Sequence, residues 1–363
     1  MGIRSVNNPT ASFRDRFVKT GFDAANPYSP PKGEASGGNN TYTYTYNSVS
    51  YKIHKFTADG TFTIVNAPMI CDILVLGGGG SGGGGNNSNH GAGGGAGGIL
   101  WRPTKSLTVG SYSITVGAVA SWSNSGTEGT KGNNSVFTGN SYTLTGNGGG
   151  GGSGTGNNNQ NDANMAGGCG GGAGRDSGTR AGGVSNQNNS EDGGATAYGA
   201  NGGIATGTGC TSAGGGGGTG DNGDNGCYDC QTARGGTCSQ GGDGIQTLAG
   251  MSTAETKQFF WECRAGTNGS GTTGGDLCTS LGSIPSNIYL GGGGGGAYEH
   301  SNVGMMADGG KGGGGRGGSR YGPVNGTHAL ANTGGGGGAG QKYASGGDGG
   351  NGAAGLVLVR YIA

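Results

Sequence analysis

The sequence predicts a mainly β protein with almost no α-helix, in which a small antiparallel β-sandwich is the base for a lattice of packed polyglycine II (polyproline II-like) helices. Three observations predict it. Glycine supplies 99 of the 363 residues and comes in blocks. Two apolar runs, at 70–76 and 356–362, bracket those blocks. Period-two and β-branched segments crowd the stretch before residue 146.

The glycine blocks set the energetic problem. Ordering a glycine costs roughly 0.5–1 kcal/mol more than ordering an alanine, so the blocks either remain a flexible linker or bond their backbones to one another. Linkers are rich in serine or proline, whereas here proline numbers only 8 and the flanks are strand-like. In the extended threefold helix, N–H and C=O groups point outward with no internal hydrogen bonds. Without Cβ atoms, neighbouring helices approach closely enough to satisfy them. The expected core is therefore largely main chain.

Residues 1–40 read as a docking arm with a proline-rich linker. Phe13, Phe17 and Val18 share one face of a short amphipathic helix at 11–20, ended by Gly21. Pro27, Pro30 and Pro31 then keep the chain extended. Phe13, Arg14, Arg16 and Phe17 are the expected docking contacts.

Residues 41–363 form the glycine-rich domain. At 41–46 threonine and tyrosine alternate strictly, a strand with its tyrosines on one face. Residues 51–57 and 61–65 flank Asp59-Gly60, which reads as a hairpin with a type I′ turn. Strands at 107–116, 135–137 and 142–145 complete a base spanning 41–145, to which the chain returns at 355–363. The lattice occupies 77–98 and 146–355, with a cysteine-rich insertion at about 205–285. No sustained helical period appears between 146 and 355.

Lys plus Arg and Asp plus Glu number 20 each and charged residues are only 11%. No global field draws the chain to nucleic acid, and no run approaches the roughly 20 apolar residues of a membrane helix. The opening residues lack the apolar core of a signal peptide. Of eight cysteines, Cys210, Cys227, Cys230, Cys238, Cys263 and Cys278 cluster in the insertion. Disulfides, thiols and a zinc site at the C-x-x-C of 227–230 all stay open, with disulfides favoured.

Catalytic chemistry has no foothold. Glycine runs match a nucleotide fingerprint almost everywhere, so the match carries no information. His54, His90, His300 and His328 form no ligand pair. Gly171 to Asp176 begins like a calcium nonapeptide but no repeat follows. At 221–226 turn chemistry outweighs calcium chelation. No cofactor, metal or catalytic residue is expected. Phe259, Phe260, Trp261, Tyr289, Tyr298 and Tyr321 interrupt the blocks and read either as a receptor- or glycan-facing rim or as rings that cap the glycine helices.

Three segments carry a family resemblance. Residues 56–64 followed by 73–80, then 93–99 with 107–117, then 352–361 resemble, in order and spacing, the glycine-rich domain of phage and bacterial surface proteins. That domain is similar in principle to the polyglycine lattices of tail-fibre-tip adhesins in T-even-like phages. The insertion departs from the pattern. The resemblance implies a bacteriophage virion structural protein at the particle surface, a tail fibre or adhesin for host attachment, docked to other virion proteins through its arm. A head fibre or capsid decoration protein, and a secreted bacterial surface matrix protein, are the alternatives. Fibres of this kind are usually trimers, and the sequence gives no stoichiometry.

Overall fold

The two apolar runs that bracket the glycine blocks are hydrogen-bonded neighbours. The computed structural model describes residues 32–86, 89–154, 163–174, 179–205, 212–227, 238–263, 265, 267, 284–298, 307–320, 322–342 and 346–363. In it, β5 (Met69–Leu76) and β11 (Leu356–Ile362) pair antiparallel, with Leu356 opposite Leu76 and Arg360 opposite Asp72. The remaining strands are β1 (Glu34–Ser36), β2 (Asn40–Tyr46), β3 (Val49–Phe56), β4 (Gly60–Val65), β6 (Ile99–Leu107), β7 (Gly110–Thr115), β8 (Ser135–Gly139), β9 (Tyr142–Gly146) and β10 (Thr196–Tyr198). They form two antiparallel sheets, ordered β1-β4-β7-β8-β9 and β10-β6-β5-β11-β3-β2. The fold is mainly β, as its composition predicts.

The larger sheet is buried on both faces, which explains why β5 and β11 are apolar without alternation. Cys71, Ile73 and Val75 of β5, with Val357 and Val359 of β11, pack against Phe62, Ile64, Tyr112, Ile114 and Phe137 of the smaller sheet. Leu74, Leu76, Leu356 and Leu358 face the other way, toward Phe259, Phe260, Ile288 and Leu290. The tyrosines of β2 lie on this second side.

Phe259 and Phe260 belong to a helix, α1 (Thr253–Glu262), which corrects the expectation of no helix between 146 and 355. Ser252 caps it, its Oγ accepting the Glu255 N–H at 3.1 Å. The cysteine-rich insertion therefore supplies part of the core rather than a surface appendage. The Asp59-Gly60 hairpin is also corrected, because β3 and β4 lie in different sheets. Both edges of β3 are taken by β2 and β11. Asn39 Oδ1 accepts the Thr57 and Ala58 N–H groups at 2.7 and 3.2 Å, and Asp59 Oδ1 accepts that of Val116 at 2.8 Å. The segment is a corner between sheets. Glu34–Ser36, within the arm's expected bounds, is already paired with β4.

Beyond Leu76 the chain changes its bonding period from two to three. Gly77, Gly80 and Gly83 donate to Gly98, Gly95 and Ala92. Gly78, Ser81 and Gly84 donate to Asn133, Thr130 and Thr127. Gly79, Gly82 and Gly85 donate to Ala353, Gly350 and Gly347. Each series steps by three along one run and back by three along its neighbour, so the run at 77–85 is antiparallel to all three. Its carbonyls accept from 149–152 and from 337–340. The contacts leave no space for side chains: a Cβ on Gly82 would lie 2.0 Å from the Gly338 carbonyl oxygen.

Candidate functional site

The chain first leaves the base for the glycine body at Leu76 and last rejoins it at Leu356, and the opposite ends of the same two strands open onto a cavity of about 590 Å³. Its floor is Arg360. As the third helix-facing residue of β11, after Leu356 and Leu358, it continues an apolar row. Its cross-strand partner Asp72 does the same on β5. Arg360 Nη2 lies 2.7 Å from Asp72 Oδ2, Nη1 lies 3.0 Å from Glu255 Oε1 of α1, and Nη1 also donates to Tyr44 Oη at 2.8 Å. The guanidinium lies over the Tyr51 ring, 4.5 Å from its centroid.

This is a buried charge satisfied on every side. Burial works against the guanidinium's charge, but Asp72 and Tyr44 outweigh it and raise its pKa further. Burial pushes the Tyr44 phenol up to about 12 despite Arg360, so the hydroxyl stays neutral and accepts. Asp72 Oδ1 also accepts the Thr104 N–H at 2.8 Å, at the register shift between β5 and β6.

The cavity wall on the helix side is fixed to the sheet. Trp101 Nε1 donates to the Ala249 carbonyl at 2.9 Å, and Tyr198 Oη accepts the Ala249 N–H at 2.6 Å. These bonds set the position of Met251 and the start of α1. Ile70, Met69 and Ile362 complete the apolar wall, and Lys32 stands at its edge. The arrangement is suited to binding an apolar group beside a polar one.

A second charged centre ties a loop to both sheets. Asp192 accepts from Arg102 Nε at 2.8 Å, Tyr142 Oη at 2.9 Å and Lys105 Nζ at 3.2 Å. Burial would raise its carboxyl, but the Arg102, Gly194, Tyr142 and Lys105 hydrogen bonds outweigh it and hold it well below the usual carboxylate range. At 221–226 the segment bonds mainly to other segments and with a three-residue period, which corrects the expectation of a local turn. Asn222 and Asn225 Oδ1 accept the Asn201 and Ile204 N–H groups, and the Asp221 and Asp224 carbonyls accept from Gly218 and Gly215. No cluster of three or more His, Cys, Asp or Glu able to hold a metal occurs among the described residues.

Among the described residues of the expected aromatic rim, Phe259, Phe260 and Tyr298 are buried and present no surface. Phe259 and Phe260 are fully buried and Trp261 packs beside them, because the second face of the larger sheet needs a cover. Tyr298 is buried beside Cys238, and Tyr289 is half-buried with Lys311 near its ring. Tyr321 and the arm residues Phe13, Arg14, Arg16 and Phe17 lie outside the described residues. Cys227 and Cys238 form a disulfide, Cys263 is buried with its Sγ 3.6 Å from the Phe260 carbonyl, and Cys210, Cys230 and Cys278 lie outside the described residues.

Sequence reasoning missed Arg360 and Asp72, although a signal was present: each is a lone charge inside an otherwise apolar strand. It also missed Trp122, 48% exposed on the glycine body, which nothing in its serine-rich surroundings singles out.

No curated protein matches the chain. Residues 57–253, more than half of the sequence, match the family model described as a glycine-rich domain. They run from the corner after β3 through the glycine blocks to the first residue of α1, and the chain belongs to the glycine-rich domain family.

Proposed function

We propose that this protein is a display component of a bacteriophage particle, a tail fibre or adhesin that holds a rigid glycine-rich body toward the host surface. The observation that carries the reading is the polarity of the molecule. The glycine body joins the base at Leu76 and Leu356, while Lys32 and Ile362 lie at the opposite end of the same strands, around the cavity. One end is thus available for attachment to other virion proteins and the other for contact. In this reading each glycine run is a polyglycine II helix, for which the three-residue bonding period is the support. A body bonded through its backbone in several directions has few soft modes, which suits a spacer that must transmit position.

Contact with a host receptor or glycan then falls to side chains on the body's surface. Trp122 and Val119, each about half exposed, supply apolar area there. Immunogold labelling of intact particles with antibodies against the folded protein tests the proposal. Label at the tail tip is the expected result, label on the head would make the protein a capsid decoration, and particles without label would overturn the virion reading.

A further inference from the structure

We propose that the cavity at the far end of the base is the dock for residues 13–17 of this same chain, Phe13-Arg14-Asp15-Arg16-Phe17. The inference does not rest on the display role. It starts from the cavity's unusual lining. Among the described residues, the two most exposed large apolar side chains are Ile70, at 65%, and Ile362, at 62%, and both stand in its wall. Met69 and Met251 flank them, a side chain type that adapts to irregular apolar partners. At about 590 Å³ the cavity falls in the range of sites that enclose a ligand of several rings.

The floor adds a polar contact point to the apolar wall. Asp72 and Glu255 set two carboxylates against the guanidinium of Arg360, and Lys32 at the cavity's edge brings the lining to a net charge of zero. Glu255 gives Oε1 to Arg360, and among the described residues no hydrogen bond is made by its second oxygen. An apolar group with a hydrogen-bond donor beside it is therefore the complementary ligand. Residues 13–17 offer two phenylalanines with two arginines and one aspartate between them.

Tethering favours this segment over a free partner. The described chain begins at Lys32, which lines the cavity. The stretch from residue 17 to residue 32 spans at most about 50 Å when extended, so Phe17 reaches the cavity with length to spare. A tether of that length gives an effective concentration on the order of millimolar. Docked there, the arm's aromatic side chains would be covered until a stronger partner draws them out.

Photo-crosslinking of the full chain tests the proposal. Phe17→p-benzoylphenylalanine places a photoreactive ring at the critical position, and benzophenone captures methionine efficiently. The expected product is a crosslink from position 17 to Met69 or Met251 in a band of monomer mass. Adding Ile70→Lys, an exposed position, should lower the yield about tenfold, equivalent to about 1.4 kcal/mol, with the far-ultraviolet circular dichroism unchanged. Crosslinks elsewhere, no crosslink, or crosslinks only in a band of twice the monomer mass would overturn it, the last assigning the cavity to a second copy. Should the Ile70→Lys variant not fold, the crosslink map of the single variant decides alone.

Discussion

A single methyl group separates a tolerated glycine from an essential one in this protein. At Gly82 an added Cβ meets the Gly338 carbonyl oxygen at 2.0 Å, and at Gly336 it meets that of Gly94 at 1.9 Å, so backbone on both sides must move. Gly193 has nothing within 4 Å of the same position. Gly82→Ala is expected to destabilise by about 3 kcal/mol or more, at the upper end for overpacking. Gly193→Ala should instead stabilise by about 0.4–1 kcal/mol through the unfolded chain, both read from urea midpoints. Two carboxylates give opposite pH signatures. Asp192 has its folded pKa depressed, so its contribution is complete above the unfolded value of about 3.9 and is lost as pH falls through the folded value. Asp192→Asn should therefore be less stable than wild type at pH 7, and the difference should shrink toward pH 2. Burial, then Asp221 and Asp243, raise Asp224 to about 6. Its charged form is penalised in the fold, so stability falls as pH rises from about 4 to 6. Asp224→Asn should exceed wild type in urea midpoint at pH 7 and equal it at pH 4.

At the scale of elements, α1 shows what was legible in the sequence and what was not. The strands were readable because alternation and β-branching report a half-buried surface directly, as at 41–46 and 142–145. The helix was not, because of its four buried positions at helical spacing, Thr256, Phe259, Phe260 and Cys263, only two carry large apolar side chains. A signal for its start was present but went unread: Ser252 with Glu255 three residues on is a capping-box spacing. Ser252→Ala should cost about 1 kcal/mol. Phe260→Ala should cost about 3–5 kcal/mol, as for a large ring removed from a core, measured by chemical denaturation. A Phe260→Ala protein as stable as wild type would return this ring to the surface role that its sequence context suggests. The hairpin at Asp59-Gly60 was misread for a related reason. Turn chemistry specifies a local bend, whereas Asn39 and Val116, distant in sequence, decide that the bend leads to another sheet. The cavity was hidden in the same way, since Arg360, Asp72 and Glu255 come from three separated elements.

For the whole molecule, the main point is how the base and the glycine body divide the work of stability. The base has an ordinary apolar core on both faces of its larger sheet. Among the described residues the body has small satellite clusters, around Met165 and around Cys238. What orders it is the mutual satisfaction of main-chain groups, anchored where β5 and β11 meet the glycine runs side by side. That pairing explains why the glycine blocks start and stop where they do. Hydrogen–deuterium exchange resolved by peptide tests this directly. Amides of Gly78, Gly82 and Gly94, each bonded to a different segment, should exchange slowly and be protected nearly as well as those of β5 and β11. Exchange in these runs at the rate of an unstructured glycine peptide, with the base still protected, would contradict the account.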